Sequence, residues 1–138
     1  MDIREYRISD RREVAELWGQ VFPASAVHNN PYDVIDRKFA TRDGLFFVAT
    51  LENRVIGTVL AGYDGHRGWL YRLAVSTNQR RSGIGTALVR YAETRLARRG
   101  CLKVNLQVRV NNTEVVRFYE SLGFHCEERI SMGKIIDE

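Results

Sequence analysis

The stretch Gln79-Arg80-Arg81-Ser82-Gly83-Ile84-Gly85-Thr86 constrains this chain most, because it joins a β-rich run, Trp69 to Val75, to a helical one, Ala87 to Arg99. A strand that enters a helix through a basic, glycine-bearing turn builds an anion site. The first N–H groups of a helix lack intrahelical partners and sit at the positive end of its dipole, so a phosphate binds them directly. Gly83 and Gly85 let a phosphate approach the backbone more closely than a Cβ would allow, and Arg80 and Arg81 add charge. Two familiar anion loops are excluded. A nucleotide P-loop requires Lys-Ser/Thr after its second glycine, where this chain has Thr86-Ala87. A dinucleotide turn requires a third glycine, where Leu88 stands, and an acidic residue in a βαβ context, which is missing. What remains is Arg-x-x-Gly-x-Gly, Arg80 to Gly85. Taken alone, it is also compatible with a plain basic turn heading an amphipathic helix.

The 138 residues are read as one domain, residues 1–138, with no linker, repeat or low-complexity tract. A hydrophobic share of 44% and a charged share of 28% are ordinary for a globular protein. No run approaches the length of a membrane span and the N-terminus lacks an apolar signal core, so a soluble, cytoplasmic protein with no membrane partner is expected. Cys101 and Cys126 lack metal or redox spacing and are read as reduced packing residues; no metal is expected. The net charge of +4 permits nucleic-acid binding. However, Arg80, Arg81, Arg90, Arg95, Arg98 and Arg99 cluster on one turn and helix, with no RNA motif or zinc finger, which a small polyphosphate explains at least as well; nucleic-acid binding through the basic helix stands as a third reading, and no nucleic-acid partner is expected.

Taken in order, Met1 to Ile8 alternates as a strand, and Ser9-Asp10 is placed to cap a helix whose Val14, Leu17, Trp18 and Val21 share a face, closed by Pro23. Asn30-Pro31 starts a second helix with Ile35 and Phe39 inward. Leu45 to Leu51 and Arg54 to Tyr63 form a hairpin about Glu52-Asn53, Asp64-Gly65 turns the chain, and Gly68 to Val75 is the next strand. After the glycine turn, Ile84, Leu88, Tyr91 and Leu96 keep a helical stripe, with the arginines expected outward, and Gly100 stops it. Lys103 to Val110 alternates cleanly and should run parallel to Gly68–Val75 through a right-handed crossover. Asn112 heads a last helix ended by Gly123, and Phe124 to Glu128 and Ile130 to Ile136 are read as two antiparallel strands. This order predicts an α/β (α+β) domain.

The order, the Arg80 to Gly85 loop preceded by Leu73-Ala74-Val75, and the stretch N-x-x-V-x-x-F-Y-E-S-L-G-F from Asn112 to Phe124 together resemble the GNAT superfamily of N-acetyltransferases. The likeness covers essentially the whole chain, although Val115 stands where that family usually has alanine. Gly57-Thr58-Val59 and the turn from Gly62 to Gly68 are further similar to the small bacterial acetyltransferases called YpeA.

The resemblance implies a mostly antiparallel sheet of six to seven strands, a central splayed parallel pair and four helices. It implies acetyl-coenzyme A as co-substrate, gripped by the main chain of Leu73, Ala74 and Val75, by Arg80, Arg81, Ser82, Gly83, Ile84, Gly85 and Thr86, and by Asn112. Tyr119 would be the general acid. The two central strands lack a carboxylate, so Gln107, holding a water, would stand in for the base, with Asp64, His66 or His28 serving only if the fold brings them near. Phe22, His28, Tyr32, Tyr71 and Arg72 would line the pocket for a small-molecule or peptide amine, Arg72 favouring one with a carboxylate or phosphate. A homodimer is a family-level expectation. The competing reading, motivated by the missing carboxylate, is a non-catalytic coenzyme A or nucleotide sensor.

Overall fold

The computed structural model describes residues 1–23 and 30–136. The chain divides into two units, Met1–Gln107 and Val108–Glu138, which are taken in turn.

The first unit is a five-stranded sheet in the order β1 (Asp2–Glu5), β2 (Phe46–Leu51), β3 (Arg54–Tyr63), β4 (Gly68–Val75) and β5 (Val104–Leu106). All neighbours are antiparallel except β4 and β5. The parallel pair and its crossover helix are present as expected, but the pair is not central: β5 is the last strand, so among the described residues the pair closes one edge of the sheet. Glu52 and Asn53 both take positive φ, 52° and 63°, the tight two-residue turn whose twist matches the flanking strands.

Strand β2 is a continuous apolar run because both faces of the sheet are covered. On one face α1 (Arg11–Val21) and α2 (Pro31–Ala40) place Val14, Leu17, Trp18 and Ile35 against Phe46, Val48, Leu60 and Ala74. On the other, α3 (Ile84–Ala97) sets Tyr91 edge-on to Phe47, with ring centroids 5.0 Å apart. Two glycines seat α3. A Cβ on Gly57 would come 2.9 Å from Leu88 Cδ1 and 3.1 Å from the Ala74 carbonyl, and one on Gly68 would come 2.7 Å from Cys101 Sγ. The helix thus lies close on the sheet at both ends.

Capping explains the helix starts only in part. Asn30 Oδ1 accepts from the Tyr32 and Asp33 N–H groups with Pro31 at the first helical position, as expected. Asp10 stands at the head of α1 but does not cap it. Its carboxylate turns back to the Arg7 N–H at 2.8 Å and to both terminal nitrogens of Arg4 at 2.8 and 2.9 Å. Burial pushes the Asp10 pKa up, and these bonds outweigh it and hold the group low.

The second unit is described by itself. It holds α4 (Thr113–Ser121), with Tyr119 in edge contact with Phe118 and Phe124 at 5.1 and 5.4 Å between centroids. Four α-helices are present among the described residues, as expected, but the expected strand count is corrected from six or seven to five. Phe124 to Glu128 and Ile130 to Ile136 are not strands; Ile130, Met132 and Ile136 are 89–90% exposed, and alternation without a neighbour to pair with does not make a strand. Lys103 to Val110 shortens to Val104–Leu106 for a related reason given below. Cys101 is buried, whereas Cys126 is exposed, so only the first is a packing residue. Among the described residues no helix is long and apolar enough to cross a membrane, and no group of His, Cys, Asp and Glu could hold a metal.

Candidate functional site

The site begins with a fault in β4. Ladder partners run Gly57 with Val75 and Thr58 with Ala74, then jump to Leu60 with Tyr71, so Arg72 and Leu73 together oppose Val59. Arg72 takes φ of 52°, an unusual conformation for a side-chain-bearing residue. Such a bulge bends the strand. On its other edge β4 pairs with β5 only at Gly68–Val104, Trp69–Asn105 and Leu70–Leu106. The parallel ladder therefore stops where the bulge begins, and β4 runs on for five more residues. Past Leu106 the chain is no longer laddered to β4, and β5 ends there.

The Ser76 N–H donates to the Ile56 carbonyl of β3 at 2.8 Å, so strand alternation turns Ala74 towards β3 and Leu73 and Val75 towards the opened edge. Of the three expected main-chain contacts, Leu73 and Val75 thus present polar groups to the opening. Ala74 is buried in the core with Trp18 and Phe46.

Beyond Val75 the chain makes a short 3-10 turn, Thr77–Gln79, and enters the glycine loop. Arg81 and Gly83 both take positive φ, 64° and 83°. Gly83 is the residue before α3 and no side chain caps that helix. The first helical bond is from the Ala87 N–H to the Gly83 carbonyl at 3.0 Å, which leaves the N–H groups of Ile84, Gly85 and Thr86 without helical acceptors. A Cβ on Gly83 would meet nothing within 4 Å, so the requirement at that position is conformational. The Ser82 hydroxyl donates to the Gln79 carbonyl and braces the loop. Arg80 and Arg81 are exposed and make no ion pair among the described residues. The loop thus presents main-chain donors beside two guanidinium groups, a combination suited to an anion.

The rest of the arginine cluster has other partners. Arg95 does not face outward as expected: it binds Glu5 of β1 at 2.8 Å and lies over the Phe47 ring. Arg90 pairs with Glu93, and Arg99 donates to the Asp43 carbonyl. Of the clustered arginines, Arg80 and Arg81 of the loop are the ones with no ion pair among the described residues, whereas Arg90 and Arg95 on the helix pair with carboxylates.

On the α1 and α2 face, the bulge brings consecutive residues Tyr71 and Arg72 to the same side. The Tyr71 ring lies under Lys38 Nζ at 5.6 Å, and the Arg72 guanidinium lies over Trp18 and Phe22, each 5.0 Å from the ring centroid. A hydroxyl relay holds the bulge: Trp18 Nε1 donates to Thr58 Oγ1 at 2.8 Å, and Thr58 Oγ1 donates to the Arg72 carbonyl at 3.0 Å. Burial holds the Arg72 pKa below the ordinary guanidinium value. The sequence offered no sign of Thr58 or Trp18 as supports, since a strand threonine and a helix tryptophan read simply as core.

Of the residues expected to line an acceptor pocket, Arg72 lies over Phe22, and Tyr71, its neighbour in the chain, lies by Lys38. Tyr32 is engaged by Arg11, whose guanidinium lies 4.5 Å from its ring centroid while also pairing with Asp36. The expectation for His28 lies outside the described residues. Gln107 is exposed and is the first residue past β5. Asp64 accepts from the His66 and Arg67 N–H groups at 2.8 and 2.7 Å, and those bonds lower its pKa; it is a turn residue and a poor base. In the second unit, Asn112 heads α4 without capping it through its side chain. Tyr119 is 7% exposed, and burial pushes its phenol up to about 12.

A parallel ladder that stops after three residue pairs, beside a glycine-led helix without a side-chain cap, leaves main-chain donors together at a sheet edge in an α/β fold, an arrangement suited to an anion. Residues 11–124 match the acetyltransferase (GNAT) family. The chain is 38% identical over 140 residues to the acetyltransferase YE1169 of Yersinia enterocolitica, covering all of this chain and 99% of that protein. Among solved structures it superposes on PaiA N-acetyltransferase of Thermoplasma acidophilum in complex with coenzyme A, with a TM-score of 0.83 and 20% identity over 94% of this chain and 92% of that one. It also superposes on Ard1 of Thermoplasma volcanium, with a TM-score of 0.79 and 26% identity over 90% of this chain and 82% of that one. The chain belongs to the GNAT family and is an acetyltransferase.

Proposed function

We propose that this acetyltransferase moves the acetyl group of acetyl-coenzyme A directly to a primary amine of a small molecule or protein. The observation that carries the reading is the opened edge of β4 leading straight into the uncapped start of α3. Pantetheine amides pair with Leu73 and Val75 like an added strand, and the diphosphate rests on the N–H groups of Arg81 to Thr86 beside Arg80 or Arg81. Asn112 hydrogen-bonds the pantetheine arm.

An amine near its usual pKa of about 10.4 is almost wholly protonated at neutral pH, so it must first lose a proton. A water held by Gln107 and main-chain carbonyls takes that proton. The amine lone pair then attacks the thioester carbonyl, the C–S bond breaks, and the departing sulfur receives a proton while the acetamide forms. Tyr119 donates to that sulfur. A phenol raised to about 12 stays protonated throughout the neutral range, which suits a donor and disqualifies it as a base.

Calorimetric titration with coenzyme A and thiol-release assays test this. Saturable binding is expected, with Tyr119→Phe lowering kcat by about 100-fold, the scale of a lost general acid, and sparing cofactor affinity. No saturation at millimolar coenzyme A refutes the loop assignment, and unchanged turnover in Tyr119→Phe removes Tyr119 from the mechanism.

A further inference from the structure

Arg72 is a half-buried cation in an unusual setting. Among the described residues no carboxylate pairs with it, and residues 24–29, Ala-Ser-Ala-Val-His-Asn, contain none either. A packing residue at this place would be apolar at lower cost, since taking a charge from water without a counter-charge is unfavourable. The Trp18 and Phe22 rings cover the face of the guanidinium, and a planar guanidinium carries its five N–H donors at its rim, where the rings cannot satisfy them.

Its position is also held. The bulge gives Arg72 its positive φ, and the buried Thr58 hydroxyl fastens the Arg72 carbonyl while receiving the Trp18 indole N–H. The same hydroxyl therefore fixes both the backbone that carries the cation and one of the rings it lies against. Beside it on β4, Tyr71 and Trp69 are 43% and 37% exposed, large rings left on the surface of a sheet strand. Arg72 is followed directly by Leu73, the first residue whose main chain faces the opened edge.

The geometry points to an acceptor amine that carries a carboxylate or phosphate group, bound by the rim donors of Arg72 next to the aromatic surface of Phe22, Tyr71 and Trp69. Carboxylate and phosphate both present the paired oxygens to which a guanidinium fork donates. This reading rests on the proposed acetyl transfer for the identity of the ligand, while the anion contact can be measured without turnover.

The test is a thiol-release comparison of matched amines on the full chain, as wild type, Arg72→Gln and Arg72→Lys. Phenylalanine is set against phenylalaninamide, O-phosphoethanolamine against ethanolamine, and spermidine and an aminoglycoside serve as polycations; the two pairs separate carboxylate from phosphate. The anionic member of a pair is expected to win by about 10- to 100-fold in kcat/KM, mainly through KM, the scale of a charge-assisted hydrogen bond. Arg72→Gln should erase that ratio, Arg72→Lys should keep part of it, and coenzyme A affinity should not move. A merely structural arginine would lower the melting temperature of the variant but leave the ratio intact. Equal or better use of neutral or polycationic amines, or an unchanged ratio in Arg72→Gln, overturns the inference while acetyl transfer stands. If no amine releases thiol, the acetyl-transfer reading fails separately. In that case thermal protection of the coenzyme A complex by N-acetylphenylalanine or O-phosphoethanolamine, lost in Arg72→Gln, upholds the anion contact, and its absence overturns it.

Discussion

The two halves of β4 make opposite use of the same strand. From Gly68 to Leu70 it is paired on both edges, and Gly68 lies close under Cys101 and Leu96. From Tyr71 to Val75 it is bulged and keeps only its β3 partner. Nothing in composition separates the halves; what separates them is one extra residue in the ladder. Buried main-chain groups need partners, so a strand that loses a neighbour at one point becomes a template for a ligand from that point onward. The stable half anchors the available half.

Breaking the open half at its fastening should have the largest effect. Thr58→Val removes a fully buried hydroxyl and leaves both the Trp18 indole N–H and the Arg72 carbonyl without it. Each orphaned group costs about 1–3 kcal/mol, so a marked fall in denaturation midpoint is expected, with a rise in acceptor KM. A midpoint within experimental error of wild type would show that the relay does not hold the bulge.

Alanine at the two glycines under α3 sharpens the contrast. Gly68→Ala and Gly57→Ala both introduce a Cβ within 3 Å of a neighbour and should each destabilise by about 1–3 kcal/mol, the usual cost of overpacking. Only Gly57→Ala presses on Ile84 and Leu88, at the anion end of the helix, so it alone should weaken coenzyme A binding in calorimetry. Equal losses of affinity would mean that the halves are not separable.

The smallest effect is expected from pH and concerns two buried phenols, one in each unit. Tyr6 and Tyr119 are both raised to about 12, chiefly by burial. Below pH 10 the phenols are protonated whether folded or not, and stability is full. Between about 10 and 12 the unfolded chain ionises first, so stability falls with rising pH. Urea midpoints at pH 9 and 11 check the sign, and removal of either tyrosine should flatten the dependence.

Much of the site was legible because it is local. A helix that starts at glycine with no capping side chain exposes its N–H groups wherever it lies, so Arg80 to Thr86 could be read directly. The hairpin at Glu52-Asn53 and the helix starting at Asn30-Pro31 were legible for the same reason. The arginines of α3 were misread because outward is a statement about neighbours: Glu5 and Phe47, more than 40 residues away in the chain, draw Arg95 in. The two final strands were misread because alternation records a tendency to pair and not the presence of a partner.

By itself, then, the sequence determined the order of the four helices and first five strands, the parallel crossover and the glycine-led start of α3, all products of periodicity and short-range backbone chemistry. Tertiary structure alone decided that β4 bulges at Arg72, a residue with no bias towards positive φ, because the relay from Trp18 through Thr58 crosses three elements. It also decided where the β4–β5 ladder stops, since pairing needs a neighbouring strand and not only an alternating sequence. The cleft edge exists only as a relation among strands, and no single stretch of residues encodes it.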